Sequence, residues 1–425
     1  MVPAVEPTVD VSSREALLMI LTRNIDGQGQ GGRIGTIRRV IAAANEISDV
    51  TIVQIRPFLE QRHYFRFAWR VLKSLLSPKR SLPLQCLLFD DTDQVAAVEK
   101  EILRIRPTAV YFDSIRCATT VCEIQRRFPH LRLVCDFDDL MSRRCSLTLS
   151  IRRGFSMGYL SHYVPRVLRM FVESHYMSHI ILKWEEIRLR AIERRLTSIA
   201  HSITLVSTVD AKLLADMSAA PDRCKVMVVP PPFSVVHLLE APVSPLRFIF
   251  IGTDKLLQNR LTIEWLLRLW QEEHFDLKLH IIGAQLGRYD PCDNVVFEGF
   301  VPQLSDVYSR NSILFAPSFL GGGVKTKIAE ALSYGVIPLG NELSFEGMGL
   351  SENPLALSLD ELRQAPRIAC ERVGFWTDCA KELQMRLSET HSVAEYRDRW
   401  REAITGEKRP LSMELTAIET SGWPQ

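Results

Sequence analysis

Short apolar runs recur along this chain with helical stretches between them, and that alternation restricts the fold more than any other feature. The first series of runs falls at 16–22, 50–55, 84–89, 108–112, 131–136, 202–206 and 225–229; the second at 246–251, 277–282, 294–297, 312–316 and 335–339. Helical periodicity fills gaps such as 34–46 and 94–105. Strands that are apolar throughout and alternate with helices belong to parallel sheets covered on both faces. "PPPF" at 230–233 and "EAPVSP" at 240–245 separate the series. The 425 residues are enough for two cores. The expectation is two doubly wound α/β domains, 1–240 and 241–405, with a last helix at 393–404 and a polar tail at 406–425. Inserts at 56–82 and 143–199 interrupt the first domain.

Composition excludes several classes. A chain that is 46% hydrophobic and 24% charged is globular, and its net charge of +2 gives no reason to expect a nucleic-acid partner. No apolar run reaches the roughly 18 residues needed to span a bilayer. "EALLMILTR" reads as a first strand rather than a signal peptide, so a cytoplasmic location is expected. The nine cysteines form no C-x-x-C pair, and neither zinc nor a disulfide framework is indicated. All nine are expected to be buried reduced thiols. His162, His175 and His179 read as surface or packed histidines, because no cysteine or carboxylate supports them as a metal trio.

The first insert contains "RHYFRFAWRVLKSLL". Arg62, Arg66, Arg70 and Lys73 share one helical face, and Phe65, Trp69, Leu72 and Leu76 another. Two readings follow: a helix lying on an anionic membrane surface, or a helix whose apolar face covers the first domain's sheet.

Chemistry concentrates in "GGGVKTKIAEALSYGVIPLG", residues 321–340. This loop follows a strand and opens a helix that Gly335 ends, so it lies at the carboxyl end of a parallel sheet, where ligands bind. Gly321, Gly322 and Gly323 let backbone N–H groups approach an anion, and the helix start adds a favourable dipole. Lys325 and Lys327 neutralise charge. Glu330, one turn past Lys327, offers a carboxylate to sugar hydroxyls. A nucleoside diphosphate joined to a sugar would satisfy all of them; a tight turn with two solvated lysines is the other reading.

Two further stretches carry candidate chemistry. In "LVCDFDDLMSRR", Asp136, Asp138 and Asp139 crowd a strand end, where mutual repulsion calls for a raised pKa or a cation partner. The plainer readings are helix capping, or a salt link to Arg143 or Arg144. After the first strand, "NIDGQGQGGRIGTIRRV" satisfies G-x-G-x-x-G at Gly27, Gly29 and Gly32. A nicotinamide site is a rival on that basis. The late start of the glycines after Arg23, and Arg56 where an acidic residue would hold a ribose, count against it.

Residues from about 246 to 349 resemble the donor-binding domain of family-4-type GT-B glycosyltransferases. The matching segments are "FIFIGT", "QNRLTIEWLL", "LHIIGA", "NVVFEGFVPQLSDVYSRNSILFAPS", "GGGVKTKIAEALSYGVIPLGN" and "FEGM". The resemblance implies a GT-B fold of two Rossmann-like domains facing a cleft. It implies Glu330 on the donor ribose, Gly321, Gly322 and Gly323 on the diphosphate, and Lys327, then Lys325, assisting. Gly31 and Gly32 would begin a helix facing the cleft. Asp138 aligns with a residue beside the reacting sugar, and Asp136 joins it as a catalytic candidate. Relatives of exopolysaccharide type share such an acidic cluster and a later "ERR", here Glu193, Arg194 and Arg195.

The sequence departs from the family in three places. Gly322 stands where a sugar-binding glutamate is usual, and Thr253 and Asn259 where a basic pair is usual. The function implied is transfer of a sugar from a nucleotide-diphosphate donor to a glycan or lipid-linked acceptor. Retention, independence of metal and of any cofactor, and peripheral contact with an anionic membrane go with it. "DFD" also spells the D-x-D metal motif of the other major glycosyltransferase fold. A GT-B sugar-nucleotide epimerase and a non-catalytic scaffold of a polysaccharide assembly are the alternatives.

Overall fold

The computed structural model describes residues 14–25, 33–76, 82–151, 166–287, 289–290, 292–350 and 353–407. Two parallel sheets organise them. The first has six strands: β1 (Ala16–Leu21), β2 (Asp49–Gln54), β3 (Ala109–Asp113), β4 (Arg132–Asp138), β5 (Ser202–Leu205) and β6 (Val226–Val228), in the order β2-β1-β3-β4-β5-β6. The second has five: β7 (Arg247–Ile251), β8 (Lys278–Ile282), β9 (Val295–Gly299), β10 (Ser312–Phe315) and β11 (Ile337–Leu339), in the order β11-β10-β7-β8-β9. Every pairing is parallel.

The central strands are apolar throughout because helices cover both faces. β3 is buried at every position, and β1 from Leu17 to Leu21. The Arg33–Ile47 helix lays Ile37, Val40, Ala43 and Ala44 on one side of the first sheet. In the second domain Phe248, Trp270 and Phe315 fill the core with edge-to-face ring contacts, and Phe250 is buried among them.

One expected strand is a helix. Residues Leu84–Leu87 form a helical turn after Pro83, and Cys86, Leu87, Leu88 and Phe89 are buried. In the sheet β2 and β3 flank β1, and the segment between them in sequence pairs with none of the three. The Glu185 carboxylate accepts a hydrogen bond from Leu84 N–H at the start of the turn. A short apolar run does not declare its own period.

The basic amphipathic segment is a helix, Tyr64–Leu76, but Arg62 precedes it with φ +58°. Its inward side carries Phe67 and Ser74. Arg66 pairs with Asp93 at 2.8 Å and Arg70 with Asp90 at 3.3 Å. The apolar side faces outward, with Phe65 94%, Trp69 66%, Leu72 46% and Leu76 75% exposed. That excludes the sheet-covering reading of these four residues. The cysteines also differ from expectation: none is in a disulfide, but Cys224 and Cys370 are exposed and Cys122 and Cys292 half-buried.

The chain crosses between the domains twice. After the Leu359–Thr390 helix of the second domain, the Val393–Thr405 helix returns to the first, where Tyr396, Trp400, Ala403 and Ile404 join Met19, Tyr111 and Val134 in one core. By packing, residues 393–405 therefore belong to the first domain, not to the second as the sequence division had it. The crossings lie side by side: Phe233 N–H donates to the His391 carbonyl at 2.7 Å. No described helix is long and apolar enough to cross a membrane.

Candidate active site

The carboxyl ends of β4 and β10 face each other across the cleft between the domains. On the first-domain side the acidic cluster is built around one cation. Arg33, at the start of its helix, donates to Asp113 Oδ1 at 2.7 Å and to Asp136 Oδ2 at 2.7 Å. Asp136 also accepts from Tyr111 Oη at 2.6 Å, from Thr204 Oγ1 at 3.0 Å and from the Asp138 N–H at 3.2 Å. Burial pushes the Asp136 carboxyl up, and Arg33 only partly opposes this. Burial acts on Asp113 in the same sense, yet Arg33 and Arg23 hold it below the usual carboxylate range.

Asp136, Asp138 and Asp139 are thus brought together but do different things. Asp136 is buried with its acceptor sites filled. Asp138 has φ +67°, sits where the β4–β5 register shifts, and keeps a side chain 30% exposed. Its Oδ1 lies 3.0 Å from Arg33 Nη1, without the alignment of a hydrogen bond. A left-handed aspartate at a strand end is the kind of local strain that accompanies functional sites. Asp139 pairs with Arg144, one of the alternatives that the plainer reading of the sequence left open. Leu140, not an aspartate, precedes the Met141–Ser150 helix, and no side chain caps it.

On the second-domain side, Gly322 and Gly323 have φ of +92° and +64°, which glycine alone adopts without cost. The loop leads into the Thr326–Ser333 helix, whose start no side chain caps. Lys325 is buried and donates to the Gly322 carbonyl at 2.8 Å; burial lowers its pKa to about 8, with Glu346 opposing. The Lys327 ammonium lies 4.2 Å from the Phe250 ring centre and donates to Asn259 Oδ1 at 3.0 Å. Burial brings it down to about 7, with Glu330 opposing. Lys327 thus places its charge at Asn259, one of the positions where the usual basic residues are missing. Burial raises Glu330, and Lys327 and Arg39 of the first domain oppose that shift. Asn259, Thr262, Ser318, Lys325 and Lys327 line a small hollow. Gly31 and Gly32 lie outside the described residues.

Several residues at this site were not assigned from the sequence. Arg33 and Asp113 complete the acidic cluster; an aspartate ending an all-apolar strand was the available signal. Arg143, Asp210 and Glu346 connect the domains. Arg143 Nη1 lies 2.8 Å from Asp210 Oδ1 and 2.7 Å from Glu346 Oε1, and Nη2 donates to Glu346 Oε2 at 2.8 Å. Asp210 lies in the first turn of the Thr208–Met217 helix, where its N–H donates to Ser207 Oγ at 3.2 Å. Among the described residues no group of three or more His, Cys, Asp or Glu is arranged to hold a metal ion. At the acidic cluster the cation is the Arg33 guanidinium.

Comparison with known proteins gives a consistent picture. Residues 245–345 match the family model described as Glycosyl transferases group 1. No curated protein matches the chain. Among solved structures, HepE of Anabaena in complex with UDP-glucose aligns at 13% identity over 93% of this chain and 100% of its own, with a TM-score of 0.58. The lipopolysaccharide outer core galactosyltransferase WaaB aligns at 12% identity over 92% and 99%, with a TM-score of 0.57. The sucrose-phosphate synthase of Thermosynechococcus elongatus gives 12% identity over 90% and 96%, and a TM-score of 0.57. At such identities the structural likeness is one of fold. The chain therefore has the GT-B architecture, and residues 245–345 of its second domain are similar to glycosyltransferases of group 1.

Proposed function

We propose that this chain transfers a sugar from a nucleoside-diphosphate donor to a glycan or lipid-linked acceptor, with retention and without a bound metal. The observation that carries this is the convergence of the Gly322 and Gly323 turn, Lys325, Lys327 and Glu330 at one end of the second sheet. The turn and the lysines receive the diphosphate and stabilise it as it departs, and Glu330 receives ribose hydroxyls. Closure of the cleft excludes water and strengthens those interactions. Asp138 faces the reacting sugar, and the Arg33–Asp136–Tyr111 network fixes its position. Asp136 serves this reading as a positioning residue rather than as a free carboxylate.

The exposed stripe of Phe65, Trp69, Leu72 and Leu76 supports contact with a lipid surface. It is too apolar and continuous for an ordinary solvated face. The reading puts the enzyme in the cytoplasm, peripheral to the membrane that carries its acceptor. A thermal-shift screen against UDP-, GDP-, ADP- and CMP-sugars tests the donor site. A ligand at a hundred times its dissociation constant stabilises by about 2.7 kcal/mol. UDP-sugars are the first to try, since HepE was solved with UDP-glucose. No shift with any of them would overturn the reading. Gly322 in place of a glutamate keeps the scaffold alternative in view: a scaffold releases no nucleotide when donor and membrane extract are mixed. An epimerase interconverts free sugar nucleotides without acceptor.

A further inference from the structure

Resting on that donor-site reading, we infer that Arg143 is a ligand of the donor diphosphate, reaching across the cleft from the first domain, and that Asp210 and Glu346 compete with the diphosphate for the same groups. The inference comes from what occupies the loop amides. The Gly323 N–H donates to Asp210 Oδ2 at 3.0 Å, and the Gly322 N–H donates to Glu346 Oε1 at 3.0 Å. The other oxygen of Asp210 lies on Arg143, and both oxygens of Glu346 do. Each carboxylate therefore bridges one glycine N–H and one guanidinium.

Two N–H groups in a left-handed turn, with a guanidinium fork opposite and Lys325 beside them, form an anion site. Asp210 and Glu346 present to it two anionic groups side by side, as a diphosphate does. The guanidinium stands over the loop: a Cβ at Gly321 would lie 3.5 Å from Arg143 Nη2. The three side chains are little exposed, 17% for Arg143, 0% for Asp210 and 10% for Glu346. When a diphosphate takes the two N–H groups, two carboxylates leave and a group of similar charge arrives. Arg143 is released from its present partners and meets phosphoryl oxygens instead.

A simple strap between the domains would involve the same contacts, and the signs of two substitutions separate the possibilities. UDP, GDP and ADP are titrated calorimetrically into the full chain. For the nucleotide that binds, R143Q should weaken affinity about tenfold or more, the loss of a charged hydrogen bond. R143K, with a point charge and no fork, should fall between. D210N should tighten binding several-fold, because it removes an anion that competes for the Gly323 N–H. Ligand-free unfolding midpoints check that each variant is folded, and R143K decides the matter if R143Q is not. Shifts of the two variants in one direction, or parent-like affinity in R143Q, would overturn the inference and leave the donor site standing. Binding of none of the three nucleotides by parent or D210N would overturn the donor site, and this inference with it.

Discussion

At the scale of single residues, the donor site is set up as a pair of ammonium groups that the fold makes reluctant to be charged. Lys327, at about 7, and Lys325, at about 8, have pKa values lowered by burial. An arriving diphosphate favours the protonated forms, so binding near pH 8 should take up protons. Affinity for the nucleotide should fall as pH rises from about 7 to 9. Titrations in buffers of different ionisation enthalpy measure this directly, and a flat profile would remove the lysines from the site. Lys327→Ala should cost about 1.5–3 kcal/mol of donor binding and reduce the proton uptake.

Asp138→Asn tests the other side of the cleft. Asparagine accepts φ +67° readily, so the variant should fold, bind donor nearly as the parent does, and lose most of its turnover. Turnover should also survive EDTA. Loss in EDTA that manganese restores would make the D-x-D spelling functional. Residue types made the glycine loop legible, because Gly, Lys and Glu at that spacing have few uses. The Arg143 contacts were not legible: Asp210 stands 67 positions away within the first domain, and Glu346 stands 203 away in the second, where only the approach of the domains brings it to Arg143.

At the scale of elements, most strands were readable because an all-apolar run between helices has one common home. The exception at 84–89 shows the limit. Its burial was legible, but not its conformation, which goes with a distant contact, the Leu84 N–H on the Glu185 carboxylate. The Tyr64–Leu76 helix shows another limit. Its two faces were visible, but neither is the buried one: Phe67 and Ser74 turn inward between them, and Arg66 stays exposed in its pair with Asp93. Membrane contact should therefore depend on apolar insertion more than on the helix's arginines. In co-sedimentation with anionic vesicles, Phe65→Ser with Trp69→Ser should leave the protein in the supernatant. Arg66→Gln should change little. Equal pelleting of parent and double variant would end the membrane reading.

At the scale of the molecule, the domains share a chain that enters the second and comes back. The sequence showed the final helix but not its destination, since an amphipathic helix fits either sheet. Trp400 lies 5.8 Å from the Tyr111 ring, and Tyr396 6.2 Å from Trp400. Trp400→Ala should cost about 3–5 kcal/mol, the loss of a buried aromatic side chain. Hydrogen exchange should show that loss in β1, β3 and β4 and leave β7, β8 and β10 nearly as protected as before. Equal loss in both sheets would mean that the helix serves the whole molecule. The returning helix also bears on synthesis. A ribosome releases the first domain's six strands long before residues 393–405 exist, so that domain must wait with Tyr111 and its neighbours uncovered. The second domain's sheet is finished at β11 and lacks only its long helix, so the part made later is positioned to complete its core first.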